Sequence, residues 1–468
     1  MSENLHGSAQ AVPTKQFFVS MLTRDISLVD AILDLVDNCL DGALRLANGS
    51  DVDYSRHLIT IHCSENEFSI EDDCGGISRN IAAKYAFKFG RETDDERDAT
   101  MQTIGMYGIG MKRAIFKMGR EAIVHTRFND DSFKVSISSD WLEQKEWNPL
   151  PIITDSENDK MPIQGTKISV NELYSNVSQH FCQKSFLDDL RLALSEHFTL
   201  FLQKGLKIDL NEEFVNSINV EVLVSTEANG PGPYVFHKDI KGVIVSIVVG
   251  LNTGRSPDDD ESGFEFDRSA ITAGWSIFCN DRAVIIGDKG RLTGWGDGIP
   301  IYHPQFSVIT GIVEFKATTA EKLPITTTKR ALDTSSDIWL EARAKMREGM
   351  RIWINHTNIW KNHPRAEQAK KWSSARPLQL TESVKIMLDR DPTNKKGGGL
   401  EYDPAKKGVL PIPHSQVPSS SRIIFSRPKA EVKEVSMALF SNQDEKPGKV
   451  GDECFEMVLK KLRSQMNE

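Results

Sequence analysis

Nowhere in this 468-residue chain do apolar residues run uninterrupted for eighteen positions, which excludes an ordinary membrane-spanning helix. The first fifteen residues, MSENLHGSAQAVPTK, lack a basic start followed by an apolar run, so a cytoplasmic protein is expected. Cysteine is sparse: Cys39, Cys63, Cys74, Cys182, Cys279 and Cys454 show no CxxC or CxxH spacing, which argues against a disulfide framework or a zinc site. There is no internal repeat, no Walker-type GxxxxGK[ST] loop and no DQHAxxER-like nuclease motif in the C-terminal third. A net charge of -9 excludes a surface that is basic throughout. Only residues 361–434 lean basic, and NKKGGG, PAKKG and LPIPHSQVPSSS within them read as a flexible tail or as a DNA-binding arm.

What remains is the composition of a globular protein too long for one core. A polar arm over 1–14 leads into FFVSML and then DAILDLVDNCLDGA, a helix expected from about 28 to 41 with Ser27 as its cap and Gly42 as its stop. HLITIHC, EFSIED, EAIVHTRF, SFKVSIS and GTKISV alternate as strands do. Helices and strands in this order predict an α/β sandwich, a mixed sheet with helices on one face. A long helix over about 183–203 follows, and then KGVIVSIVVG, WSIFCNDRAVIIG and SVITGIVEFK, with Asn280-Asp281 placed to turn a hairpin. The boundaries expected are a domain over 15–180, a second α/β domain over 181–335, a helical extension over 336–375, a basic linker over 376–450 and an amphipathic helix over 451–468 that packs or pairs.

Asp30, Asp34, Asp37, Asn38 and Asp41 share about a third of the helix circumference at about 100° per residue. The stripe is either a solvated face or the wall of a site where a cation makes clustered carboxylates tolerable. Two further motifs follow in order, Asp72-Asp73-Cys74-Gly75-Gly76-Ile77 and Gly105-Met106-Tyr107-Gly108-Ile109-Gly110.

In that order and spacing, and followed by Gly165-Thr166, these motifs resemble the boxes of the GHKL ATPases, which include gyrase B subunits, heat-shock chaperones, histidine kinases, MutL and MORC proteins. The resemblance is close over about 25–170 and looser to about 335, where it implies a transducer domain of ribosomal-protein-S5-like type. It implies ATP and Mg2+ as ligands, with Asn38 holding the metal and Asp34 directing the attacking water. The family pattern has Glu where Asp34 stands. The resemblance also places Asp72 on the adenine amine, with Asp73 as the alternative, and Thr166 beside it. Cys74 occupies the place of the family's first glycine, so the turn must tolerate a side chain or use Gly75. Gly76 and Ile77 complete that segment; Gly105, Gly108, Ile109, Gly110 and Met111 bring backbone amides and a helix start to phosphate.

Lys112 is either a further charge on phosphate or a surface lysine, and residues 90–104 would form a lid. For Asp37 and Asp41, solvent contact or a helix-anchoring hydrogen bond is the expectation. Lys329, in LPITTTKRAL, would reach the γ-phosphate from the second domain. The implied activity is an ATP-gated clamp formed by homodimerisation, with DNA or a protein as client. The alternatives are a scaffold that scarcely hydrolyses ATP and, on weaker grounds, a histidine kinase.

Overall fold

The computed structural model describes residues 14–49, 51–90, 101–105, 108–252, 272–326, 329–361, 363, 368, 370–390, 399–413 and 426–465. Residues 1–13 of the arm expected over 1–14 and 91–100 of the lid expected over 90–104 lie outside them. The chain divides into two compact units, Met1–Pro413 and His414–Glu468. Among the described residues no helix is long and apolar enough to cross a membrane.

The larger unit begins with α1 (Lys15–Arg24) and α2 (Leu28–Leu46). Ser27 caps α2 as expected, its Oγ accepting the Asp30 N–H at 3.0 Å. The stop does not fall at Gly42. The helix continues to Leu46 and ends where Asn48 and Gly49 take positive φ, 52° and 73°. Gly42 lies inside it because a Cβ there would come within 2.8 Å of the Cys74 carbonyl oxygen.

Eight strands form the first sheet in the order β5-β4-β3-β6-β2-β1-β7-β8. They are β1 (Leu58–Cys63), β2 (Phe68–Asp72), β3 (Gly119–Phe128), β4 (Asp131–Ile137), β5 (Ile152–Thr154), β6 (Gly165–Leu173), β7 (Lys207–Leu210) and β8 (Glu213–Phe214). In β1 the residues Ile59, Ile61 and Cys63 are buried and their neighbours exposed, the alternation of a sheet covered on one face. That covering is helical: α2, α3 (Gly110–Met118) and α4 (Lys184–His197) pack Leu33, Val36, Ile115, Leu190 and Leu194 onto the sheet. The fold class read from the sequence is therefore the one observed. The sheet nevertheless runs past residue 180, because β7 returns to pair in parallel with β1. The helix expected over 183–203 breaks at Phe198, after α4.

The second sheet has the order β13-β12-β14-β11-β10-β16. Its strands are β10 (Tyr234–Ile240), β11 (Val243–Leu251), β12 (Gly274–Cys279), β13 (Arg282–Asp288), β14 (Ile309–Lys316) and β16 (Leu400–Tyr402). Asn280 and Asp281 turn the β12–β13 hairpin with φ of 47° and 66°, as their identity suggested. Both faces are covered, which explains why β11 is apolar almost throughout. On one side α5 (Asp337–Trp360) buries Trp339, Met346, Met350 and Trp353; on the other, the β9 (Val222–Ser225) and β15 (Ala375–Leu378) pair packs with α6 (Leu380–Arg390).

The expected extension and linker are corrected accordingly. Helix α5 belongs to the core on one face of the second sheet, and Leu378, Val384, Met387 and Leu400 belong to a separate core cluster with β9 and α6. Averaging composition over that stretch hid them, because short buried segments alternate with Lys-, Gly- and Pro-rich ones. The smaller unit carries α7 (Lys429–Phe440) and α8 (Pro447–Gln465), so its last helix starts before the expected residue 451.

Candidate functional site

Between α2, the glycine turn after β2, the start of α3 and the start of β6 lies a cavity of about 530 Å³. Its size is that of a small-molecule site. Asp34, Asn38, Asp72, Gly76, Ile77, Gly105, Gly108, Ile109, Gly110, Met111, Lys112, Thr166 and Lys329 all line it. These residues thus reach one wall or another of the same space, although they come from segments far apart along the chain; Asp30, Asp37 and Asp73 are not in its lining.

The acidic stripe is not a solvated face. Asp34, Asp37 and Asp41 are buried, and each has its own partner. The Asp34 carboxylate receives a bond from Arg113 and lies 3.7 Å from the Lys329 ammonium. Asp37, fully buried, accepts from Arg282 Nε and Lys329 Nζ, both at 2.8 Å. Burial alone would raise the Asp37 carboxyl, but these two cations outweigh it and bring it down to about 2. Burial would likewise lower the Lys329 ammonium, and Asp37 and Asp34 raise it instead. Asp41 accepts the Ile104 and Gly105 N–H groups at 2.7 Å each, so it anchors the glycine segment to α2. Gly105 is required there, since a Cβ would sit 2.6 Å from the Asp41 carboxylate. Asn38 is the exposed member of this otherwise buried stretch, and its amide is open to the cavity.

At the other end, Asp72 and Thr166 are register partners on adjacent strands. Asp72 accepts the Cys74 N–H at 2.8 Å, while burial pushes its carboxyl up to about 6. Asp73 is turned away, holding the Leu58 N–H at 3.0 Å and the His57 ring at 3.1 Å. The turn uses Gly75 and Gly76, at φ of 103° and 73°, and leaves Cys74 buried behind it. At Gly76 a Cβ would come within 2.0 Å of the Arg127 carbonyl oxygen, so no side chain fits. Thr126 ties this turn to the strand, accepting from Ile77 N at 2.8 Å and sharing a hydrogen bond with Thr166 at 3.1 Å.

Helix α3 starts at the cavity with no side-chain cap at Ile109, which leaves its first-turn amides directed at whatever anion enters. Lys112 is not a surface lysine. It is buried, and its ammonium donates to the Ala86 carbonyl at 2.9 Å and to that of Gly108, holding the glycine loop against the neighbouring segment.

Several residues of this arrangement escaped sequence reasoning. Arg113 and Arg282 neutralise the acidic helix from distant elements, and no local spacing marks them. Asn280, read only as a turn residue, is 3% exposed; it donates to Thr103 O at 3.1 Å and to Ala317 O at 3.0 Å and accepts Ala317 N–H at 3.0 Å. Its neighbour Asp281 pairs with Lys204 at 2.8 Å. One hairpin turn therefore grips the backbone beside Ile104 and, through Arg282, the acidic helix. Asn280→Gly keeps the positive φ but removes the amide, so Ile104 and Gly105 should exchange their amide protons faster, with about 1–3 kcal/mol of local stability lost. Unchanged exchange in a hydrogen-exchange experiment would rule that anchoring out.

Residues 26–169 match the family model described as histidine kinase-, DNA gyrase B-, and HSP90-like ATPase. The match supports a GHKL-type, ATP-binding domain in this part of the chain. No curated protein matches the chain.

Proposed function

We propose that the chain binds Mg-ATP in this cavity and hydrolyses it, using nucleotide state to set the posture of its second α/β domain and to bring two copies together as a clamp. The observation that carries this reading is the convergence of the acidic helix, the glycine turns and Lys329 on one cavity. The α3 N-terminus and the amides of the glycine segment would take phosphate, and Asn38 would supply one neutral oxygen to magnesium. When bound, the metal would offset phosphate charge. Asp34, one helical turn from Asn38, would orient the attacking water, and Asp72 would accept the adenine amine.

Lys329 is the coupling element in this reading. It sits on Asp37 and Asp34 here, with φ of 57°. A γ-phosphate would compete for the same ammonium, so occupancy would redraw the contacts between the loop and α2. The transducer role and the MORC- or MutL-like branch belong to this proposal, as does a DNA or protein client. A second reading, a nucleotide-gated scaffold with little turnover, is favoured by one contact: Asp34 is engaged by Arg113, which occupies one of the carboxylate oxygens that would orient water.

Titration calorimetry with Mg-ATP tests the binding. Heat should be released on mixing, and Asp72→Asn should weaken affinity roughly tenfold. Because the Asp72 carboxyl titrates at about 6, affinity in the unmodified chain should fall as the pH drops through that value, and the Asn variant should lose this dependence. The absence of heat at every pH would end the proposal.

A further inference from the structure

The smaller unit has an unfilled need. Its helices α7 and α8 bury only Ser436 and Val450 among the described residues. Two helices of 12 and 19 residues with so little apolar surface removed from water do not offset the entropy of ordering them. Meanwhile Phe455, Val458 and Leu462 on α8 are 53%, 57% and 51% exposed. Their spacing of three and four residues confines them to an arc of about 60°, the seam by which one helix packs along another.

The charges on α8 say what covers that seam. Asp452, Glu453 and Glu456 occupy its first half together with Lys449, which is paired to Glu445 at 3.1 Å, and Lys460, Lys461 and Arg463 occupy its last. A parallel pair would set acid beside acid and base beside base. An antiparallel pair centred near Val458 sets Phe455 opposite Leu462 of the second copy, and each acidic half against a basic half. The helix dipoles then also oppose favourably. A membrane surface suits this helix less well, because the polar face of a lipid-bound helix is typically basic throughout.

We infer that α8 is a self-association helix, pairing antiparallel with α8 of a second copy of this chain without need of nucleotide. This pairing is independent of the ATP reading, and the contact is remote in sequence from every residue of the cavity.

The test uses the full chain without nucleotide in sedimentation velocity across a concentration series. A dimer is expected. Val458→Asp with Leu462→Asp should weaken its association on the order of a hundredfold or more, while leaving the thermal melt of the remainder and Mg-ATP binding unchanged. Orientation is read in a background with Cys182 and Cys454 replaced by Ser, since neither of these is buried. Mixed Phe455→Cys and Leu462→Cys chains should then form a disulfide between unlike copies. A disulfide formed only between two Phe455→Cys chains would mean parallel pairing and overturn the inference. So would a monomer at every concentration, including one in which the seam is protected by its own chain.

Discussion

Asp34→Ala should lower ATP turnover by about 10²–10⁴-fold while Mg-ATP still binds. Phosphoryl transfer asks little covalent work of the protein, so the loss measures how well this carboxylate positions and polarises water. Asp34 lines the cavity one helical turn from Asn38 and carries Arg113 on one oxygen and Lys329 near the other. Its place is therefore set by these two cations. The side chain is one methylene shorter than the Glu usual in GHKL ATPases, which predicts slow basal turnover. Phosphate release measured beside calorimetric binding separates the readings. An ATPase loses release and keeps heat, whereas a gated scaffold has negligible release before the substitution is made. Equal release from both chains would remove Asp34 from the mechanism.

Arg282→Met should destabilise the chain by about 3–5 kcal/mol, read as a shift in the urea midpoint. Asp37 is 0% exposed, and Arg282 supplies one of its two charge partners while stacking 4.6 Å from the Phe198 ring. Removing the guanidinium leaves a buried carboxylate with Lys329 alone. The pH dependence follows from linkage. The folded Asp37 value of about 2 lies below the ordinary 3.8, so its stabilising contribution is complete above about pH 4 and disappears as pH falls through 2. Without Arg282 the carboxyl rises, and the folded chain then takes up a proton at a higher pH than before. The variant should consequently lose less on acidification than the unmodified chain does. Asp37→Leu added to Arg282→Met should recover part of the loss, because the orphaned charge goes with its partner. A midpoint that moves by less than about 1 kcal/mol would show that the pair is not coupled to folding.

These two substitutions probe different layers of the same helix, and the layers were unequally legible. Asp34 and Asn38 could be picked out from one segment, because a helix turn places them on one face and the glycine motifs follow in order. The strand alternation around Ile59 and Ile61 was equally plain, as were the Ser27 cap and the Asn280-Asp281 turn, since each depends on neighbours within a few residues. Arg282 had no such signal. Its role exists only because the β12–β13 hairpin is laid against α2, hundreds of residues earlier in the chain, and a lone arginine after a turn looks like any surface cation. The segment from Ala375 to Tyr402 misled for a related reason. Its few buried residues are spread among solvated ones, so composition reported the surroundings rather than the core.

By itself, then, the sequence determined the local elements, the chemistry of the acidic and glycine-rich segments and the class of ligand they suit, because caps, periodicity and turns are short-range physics. Tertiary structure alone decided how three buried aspartates and the half-buried Asp30 are tolerated on one helix. Arg113, Arg282, Lys329 and Arg330 come to Asp34, Asp37 and Asp30 from other elements, and backbone amides come to Asp41. A buried charge must be met in space by its counterpart, and spatial neighbours of that kind leave no trace in linear spacing.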